Sequence, residues 1–188
     1  MQLQLSSANE SLRDKHERTL VLREADRTLV ALVSGSGGLA ATRHAGERTL
    51  DELSRCFQRG TLPDNPEDWE MVLEGIDQIV LADPDAGETS VMAMQVERGF
   101  VVGASVGASS AWVMPPGGDA SWLTKFQRKT PRIGTGMAIP IGFGPVSMDG
   151  KLVAVPDDLA DYVHVGQASA TEQVAAAQAS RARLLGAH

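Results

Sequence analysis

The first third of the chain shows two hydrophobic patterns of different period. Two short runs rich in aliphatic and β-branched residues, RTLVLRE and RTLVALVS, flank the dipeptide Ala25-Asp26. Such runs around two turn residues predict a β-hairpin. From Leu39 to Arg59 the apolar residues recur instead at mostly helical spacing, and Gly60 stands where a helix C-cap is expected. The pattern therefore predicts a hairpin followed by a helix over 39–59.

The middle of the chain continues with a second helix and three strands. The turn residues TLPDNP precede a helical pattern over Glu67–Asp83. Three runs of small, β-branched or aromatic residues follow over 89–97, 100–107 and 110–114, and a two-residue turn separates the first two. We expect these three strands to form a meander.

The last part of the chain contains one more strand and two helical segments. GKLVAVP predicts the strand, DDLADYV a short helix, and Ser169–Leu185 a final helix in which Ser169 and Glu172 have capping-box spacing. The predicted order is strands, two helices, more strands and a terminal helix. This order indicates an α+β layered domain and not the βαβα order of a nucleotide-binding sheet. A length of 188 residues favours a single domain over 1–188.

Charge and cysteine content narrow the class of partner. The chain has 17 Lys and Arg against 24 Asp and Glu, a net charge of -7. This sign argues against nucleic acid and anionic membranes as partners and favours a protein or a small molecule. The single cysteine, Cys56, excludes an internal disulfide and fits a reducing compartment. Because we find neither a membrane-span pattern nor a signal-peptide pattern, we expect a cytoplasmic protein.

Few side chains suggest chemistry by themselves. The four histidines, His16, His44, His164 and His188, lack metal-ligand spacing. The glycine-rich SGSGG at 34–38 has backbone amides that attract anions, but without a Walker lysine a tight turn is the preferred interpretation.

Three further candidates have an ordinary structural interpretation beside a functional one. GASVG at 103–107 matches the nucleophile-elbow pattern around Ser105, yet it lies in a β-rich run without a following helix, so a packed strand is preferred. Cys56 falls on the apolar face of its helix, as expected of a core thiol. The pair Asp157-Asp158 suits either a helix start or a metal site, and the pattern leaves both open.

Seven short motifs stand in a defined order between residues 13 and 163. They are RDKHER at 13–18, LVSGSGG at 32–38, GETS at 87–90, ASVGASSAW at 104–112, Leu123-Thr124, PRIGTG at 131–136 and LVAVPDDLADYV at 152–163. This order resembles the metal-dependent protein phosphatases of type 2C. In that family an arginine precedes Glu-Asp, a strand ends in Asp-Gly-x-Gly-Gly, and Gly-Asp-Ser, Leu-Thr and Ser/Thr-Asp-Gly follow.

The resemblance implies a fold and an activity. The fold is α+β, a sandwich of two antiparallel β-sheets flanked by helix pairs, here in a compact bacterial form with a core over about 13–163 and a C-terminal helix over 169–185. The activity is hydrolysis of phosphoserine or phosphothreonine by a water that bridges two Mg²⁺ or Mn²⁺ ions, held largely by aspartates.

The resemblance also assigns site positions, several of which have lost their carboxylate. Arg13 matches the arginine that grips the phosphate. The matching metal positions are Glu17 and Asp157, and a reduced ligand set would add the Gly35 carbonyl and Asp158, which stands where the family has the glycine of Ser/Thr-Asp-Gly. The aspartates expected after Glu17, at the end of the second strand and in Gly-Asp-Ser fall on Arg18, Ser34 and Ala108. No clear match to the final Asp-Asn motif occurs in the alanine-rich C-terminus.

Three functions follow from this pattern. The first is a phosphatase-like domain without two-metal catalysis, a pseudophosphatase that binds a protein partner or a phosphoprotein. The second is an active phosphatase with a reduced ligand set, Glu17, Gly35, Asp157 and Asp158, around one ion. The third is a hydrolase using Ser105 and a histidine brought close by the fold. The first is preferred, with no ion or one weakly held Mn²⁺ or Mg²⁺, because hard cations require anionic oxygen ligands.

Overall fold

The computed structural model describes residues 15–36 and 40–156, which contain eight strands and two helices. In chain order the elements are β1 (Lys15–Glu24), β2 (Arg27–Ser36), α1 (Ala40–Arg59), α2 (Pro66–Leu81), β3 (Ser90–Glu97), β4 (Phe100–Val106), β5 (Ser109–Met114), β6 (Ser121–Trp122), β7 (Ile141–Ser147) and β8 (Lys151–Pro156). The helices expected over 157–163 and 169–185 lie outside the described residues. No helix in the described ranges is long and apolar enough to span a membrane.

The strands form two antiparallel sheets. The larger has the order β1-β2-β3-β4-β7 and the smaller the order β6-β5-β8. One apolar core lies between the sheets, and a second lies between the larger sheet and the two helices. This arrangement confirms the α+β sandwich of two antiparallel sheets.

Strand β2 contributes to both cores. Leu29, Ala31 and Val33 face the helices, whereas Val30 and Leu32 face the smaller sheet. Since both faces of the strand are covered, its sequence is a continuous apolar run and does not alternate.

Local signals set the ends of the elements around the helices. The β1–β2 hairpin turns at Ala25-Asp26 as predicted, with Glu24 paired to Arg27. Helix α1 ends in a Schellman motif: Gly60 has φ +67°, and its N–H and that of Thr61 donate to carbonyls of the last turn.

Helix α2 begins at an N-cap and ends earlier than the pattern predicted. The side chain of Asn65 accepts from the N–H of Asp68 at 2.9 Å, and Pro66 occupies the first helical position. The helix ends at Leu81, two residues before the predicted Asp83. The prediction of a helix here is confirmed and only its end was wrong.

The expected three-stranded meander is wrong for its third strand. β3 and β4 form a hairpin in which Arg98 and Gly99 both have positive φ, as a type I′ turn requires. β5, however, pairs with β6 and β8 in the smaller sheet. Gly107, at φ +80°, ends β4 and redirects the chain from one sheet to the other.

Strand β7 was not predicted. Its sequence IGFGPVS contains two glycines and a proline, which are depleted in strands. β7 lies at the edge of the larger sheet, where a proline without an N–H is tolerated, and its pairing with β4 is interrupted by a register shift. The edge position therefore explains why a strand forms on a sequence that lacks the usual signal.

Candidate functional site

A row of three side chains crosses one end of the larger sheet. Glu17 in β1 pairs with Ser34 in β2, and Ser34 pairs with Ser90 in β3. Leu32 lies two residues before Ser34, and Met92 lies two residues after Ser90. Both side chains pack in the core between the sheets. Because side chains alternate along a strand, the Glu17–Ser34–Ser90 row also faces the smaller sheet. We call this end of the sandwich, where β2, β4 and β8 finish and β3 and β5 begin, the site end.

Hydrogen bonds fix the backbone around the row. The hydroxyl of Thr89 donates toward the carbonyl oxygens of Ser34 and Ser90, each at 3.2 Å. The N–H of Ala108 donates to Ser90 Oγ at 3.3 Å. Thr89 also exchanges two backbone hydrogen bonds of 3.0 Å with Ile133. Strands β2 and β3, the β4–β5 turn and the loop at Ile133 are thus joined at the site end.

Two glycines allow the close packing that this junction needs. A Cβ on Gly35 would overlap the side chain of Thr42 in α1. A Cβ on Gly107 would overlap Ser90. The SGSGG segment therefore approaches α1 closely at Gly35, whereas residues 37–39 lie outside the described residues.

The loop that leads into Thr89 is held against α1. Gly87 donates its N–H to the carbonyl of Ala41 at 2.8 Å. His44 Nε2 lies 3.0 Å from a carboxylate oxygen of Asp83, and the N–H of Asp85 donates to the other oxygen at 3.1 Å. The hydrogen bond from His44 is the main cause that lowers the pKa of Asp83 from its usual 3.8, and the Asp85 N–H adds to it.

The positions transferred from the phosphatase pattern divide between two faces of the sheet. Glu17 and Ser34 lie together in the row, and Ala108 lies in the turn beside Ser90. Arg18 points to the opposite face, where its guanidinium contacts Glu47 of α1 at 2.8 Å. Arg18 therefore does not lie beside the Glu17–Ser34–Ser90 row, since successive strand residues face opposite ways.

The remaining transferred positions are only partly described. Gly35 is buried at the end of β2. Strand β8 ends at Pro156, which pairs with Ser109 at the start of β5. Arg13, Asp157 and Asp158 lie outside the described residues, so their predicted roles stay predictions.

The described donor set does not fit a two-metal centre. Mg²⁺ and Mn²⁺ require several anionic oxygens, and the row offers one carboxylate, Glu17, beside the neutral hydroxyls of Ser34 and Ser90. Within residues 15–36 and 40–156, no three His, Cys, Asp or Glu side chains come together to hold a metal ion. The alanine at 108 has no ligand atom in its side chain.

The smaller sheet adds a buried hydroxyl, that of Ser109, which follows Ala108 in the Gly-Asp-Ser match. Ser109 is 3% exposed and lies two residues before Ala111, which packs between the sheets. Its Oγ has no hydrogen-bond partner within the described part of the chain. Ser90 was missed as a site residue, and Ser109 was assigned no role in the site, because a serine at a strand end carries no signal until its neighbours are known.

Ser105 lies within β4 and is fully buried, which confirms the strand preferred for GASVG. Its hydroxyl donates to Oε1 of Gln127 at 2.5 Å. Cys56 is half-buried and packs against the helix-side core, as expected of a structural thiol. Neither residue is placed for nucleophilic chemistry by these contacts.

Asp77 is a buried carboxylate of α2 that sequence reasoning missed. It is 2% exposed and accepts backbone N–H bonds from Gly134 at 2.6 Å, Gly136 at 3.2 Å and Ala138 at 3.0 Å. The signal was its position four residues after Leu73, on the apolar face of the helix. Asp77 holds the loop after Ile133 against α2, and thereby supports the loop that contacts Thr89.

Comparison with known proteins places this architecture. No family model and no curated protein sequence matches the chain. Among solved structures it is similar to a bacterial serine phosphatase with 17% identity and a TM-score of 0.67, over 87% of this chain and 83% of that one. It is also similar to the serine/threonine phosphatase Stp1 from Staphylococcus aureus, with 18% identity and a TM-score of 0.63 over 92% and 90% of the two chains. A third similar structure is the S. agalactiae serine/threonine phosphatase, with 16% identity and a TM-score of 0.61 over 88% of this chain and 93% of that one. These likenesses confirm the phosphatase-2C-like fold predicted from the motif order.

Proposed function

We propose that this chain is a phosphatase-fold binding module of cytoplasmic serine/threonine phosphorylation signalling. It binds a protein partner or a phosphoprotein and does not hydrolyse phosphate esters with two metal ions. The similarity of the fold to serine/threonine phosphatases supports a role in serine/threonine phosphorylation signalling. The lack of carboxylates beside Glu17 in the Glu17–Ser34–Ser90 row supports the loss of two-metal catalysis.

The observation that carries the proposal is Ser34 between Glu17 and Ser90. The phosphatase pattern requires a bridging carboxylate at this position. Two divalent ions about 4 Å apart repel each other by roughly 17 kcal/mol at an effective dielectric constant near 20. A neutral hydroxyl compensates little of that repulsion, so a binuclear centre is strongly disfavoured.

The test is metal-dependent hydrolysis of an aryl phosphate and of a phosphoserine peptide by the full chain. We expect no turnover above background with Mn²⁺ or Mg²⁺, and at most one weakly bound Mn²⁺ by calorimetry. Turnover that rises with Mn²⁺ and disappears in Asp157→Asn would establish the alternative, an active phosphatase with a reduced ligand set of Glu17, Gly35, Asp157 and Asp158.

A restored ligand set sharpens the test. The double variant Ser34→Asp with Ala108→Asp returns both missing carboxylates, and Ser34→Asn with Ala108→Asn is the neutral control of the same size. We expect Mn²⁺ affinity to increase at least tenfold in the aspartate pair relative to the asparagine pair, because only the first adds anionic ligands. Equal Mn²⁺ affinity in the two pairs would show that the row is not the metal site of this fold.

A further inference from the structure

The charge of the chain is unevenly distributed. The net charge is -7, yet residues 120–148 contain no Asp or Glu. All four Lys and Arg of this span lie within the eight residues 125–132, which we call the basic segment: Lys125, Arg128, Lys129 and Arg132. The first three are exposed and Arg132 is half-buried.

The basic segment passes around the site end. Gln127 accepts the hydrogen bond of Ser105, whose side chain lies on the face of β4 that looks toward the smaller sheet. Ile133, directly after the segment, packs in the core on the helix side and pairs with Thr89. The chain between Gln127 and Ile133 therefore crosses from one face of the larger sheet to the other, past the beginning of β3 and the end of β4.

Hydrogen bonds also hold the beginning of the basic segment. The N–H of Leu123 donates to the carbonyl of Ala111 at 2.8 Å, and Thr124 Oγ1 accepts from the N–H of Ala111 at 3.1 Å. Gln127 in turn donates its N–H to the carbonyl of Thr124 at 3.0 Å. Because the backbone is fixed before a ligand arrives, less conformational entropy is lost when the cations bind.

Exposed aromatic rings lie beside these cations. Phe126 is 70% exposed, and the Lys125 ammonium lies 4.7 Å from the centre of its ring. Trp122 is 48% exposed and stacks on Trp112 with ring centres 6.0 Å apart. Cations interleaved with exposed rings can bind an anionic group and the apolar side chains next to it.

We propose that the basic segment binds a phosphorylated serine or threonine in an extended segment of a partner protein, without a metal ion. Lys125, Arg128 and Lys129 donate to the phosphate oxygens, and Phe126 contacts an adjacent side chain of the partner. This inference rests on the binding function proposed above, for which it names the ligand. A short anion fits better than nucleic acid, since the acid-free span ends at Asp119 and Asp149 and the molecule as a whole is negative.

The experiment measures binding of phosphoserine and phosphothreonine peptides and their unphosphorylated forms by calorimetry in excess EDTA. We expect binding of a phosphopeptide that weakens as salt is raised. The triple variant Lys125→Gln, Arg128→Gln, Lys129→Gln should lose roughly tenfold or more in affinity. Arg23→Gln, Arg59→Gln, Lys151→Gln removes the same charge from exposed positions near the opposite end of the sandwich and should change affinity by less than about twofold.

Several results would overturn the inference. They are absence of phosphopeptide binding at about 1 mM peptide, equal affinity for unphosphorylated peptides, equal loss in the two triple variants, or tighter binding of a single-stranded oligonucleotide than of any phosphopeptide. The same measurements distinguish failure of the proposed function from failure of the ligand proposed for the basic segment. Binding in EDTA together with Mn²⁺-dependent turnover would refute only the loss of catalysis, whereas absence of both would refute only the ligand named here.

Discussion

The carboxylate of Asp77, in the C-terminal half of α2, accepts a hydrogen bond of 2.6 Å from the backbone N–H of Gly134. The same side chain accepts from Gly136 and Ala138, so one buried charge satisfies three N–H groups of a loop that has no regular structure. Hydrogen bonds to an ionised acceptor are worth more than neutral ones. Asp77 is therefore the main polar connection between the helix layer and the loop that contacts the site end.

Substitution of Asp77 should destabilise the protein strongly. Asp77→Ala leaves three buried or half-buried N–H groups without an acceptor, and we expect a loss of roughly 3 kcal/mol or more in the free energy of unfolding. Asp77→Asn keeps one acceptor oxygen and should lose about 1 to 3 kcal/mol. Urea denaturation followed by far-UV circular dichroism measures both. Glu74→Ala, an exposed carboxylate of the same helix, is the control and should stay within about 0.5 kcal/mol of the wild type.

Substitutions at two glycines of similar backbone conformation can distinguish backbone strain from steric overlap. Gly99 and Gly107 have φ of +83° and +80°, but a Cβ on Gly99 meets open space whereas one on Gly107 overlaps Ser90. Gly99→Ala should cost about 1 kcal/mol, the left-handed penalty alone. Gly107→Ala should cost at least about 2 kcal/mol, because the overlap is added. Equal losses in thermal unfolding would show that the β4–β5 crossing relaxes without cost.

The His44–Asp83 pair predicts a loss of stability in acid. The pKa of Asp83 is lowered in the folded protein, mainly by the hydrogen bond from His44. A lowered pKa stabilises the folded protein at pH values above the unfolded-state pKa, which is near 3.8. This contribution is lost as the pH falls through the lower pKa of the folded state. In His44→Ala the pKa of Asp83, followed by carboxyl NMR, should rise toward 3.8. An unchanged pKa would assign the shift to the Asp85 N–H instead.

Ser105 provides a test of the hydrolase interpretation. Its hydroxyl is buried and bonded to Gln127, so Ser105→Ala should cost about 1 kcal/mol in stability and leave any ester hydrolysis by the preparation unchanged. Hydrolysis of p-nitrophenyl acetate by the folded variant and the wild type compares the two. A specific loss of turnover in folded Ser105→Ala would restore the nucleophile interpretation.

The parts of the fold that follow local rules could be predicted from the sequence. The β1–β2 hairpin and both helices carry their own turn and cap residues, such as Gly60 and Asn65, and they form where the pattern indicated. The destination of β5 could not be predicted, because pairing with β6 and β8 depends on contacts distant in the sequence. Strand β7 was hidden by its glycines and its proline, and its stability comes from pairing with β4.

The site was predictable only in part, for a related reason. Motif order placed Ser34 and Glu17 in one site, and the strand register brings them opposite each other. It did not single out Ser90, because a serine at the start of a strand has no chemical signature until its neighbours are known. Asp77 was missed because its partners are backbone N–H groups more than fifty residues away.

The uneven charge of the chain has a consequence for how ligands of different length are discriminated. Ten acidic residues and no Lys, Arg or His lie between residues 60 and 97, and α2 from that stretch packs against the loop that follows the basic segment. At physiological salt the Debye length, beyond which interactions between exposed charges are largely screened, is about 8 Å. In the binding mode proposed above, we expect a compact anion to contact the basic segment with little repulsion from the exposed carboxylates of this stretch, whereas a long polyanion would extend toward them and be repelled. In the same binding mode, this charge distribution would favour a single phosphate group over a polyanion as the ligand of the basic segment.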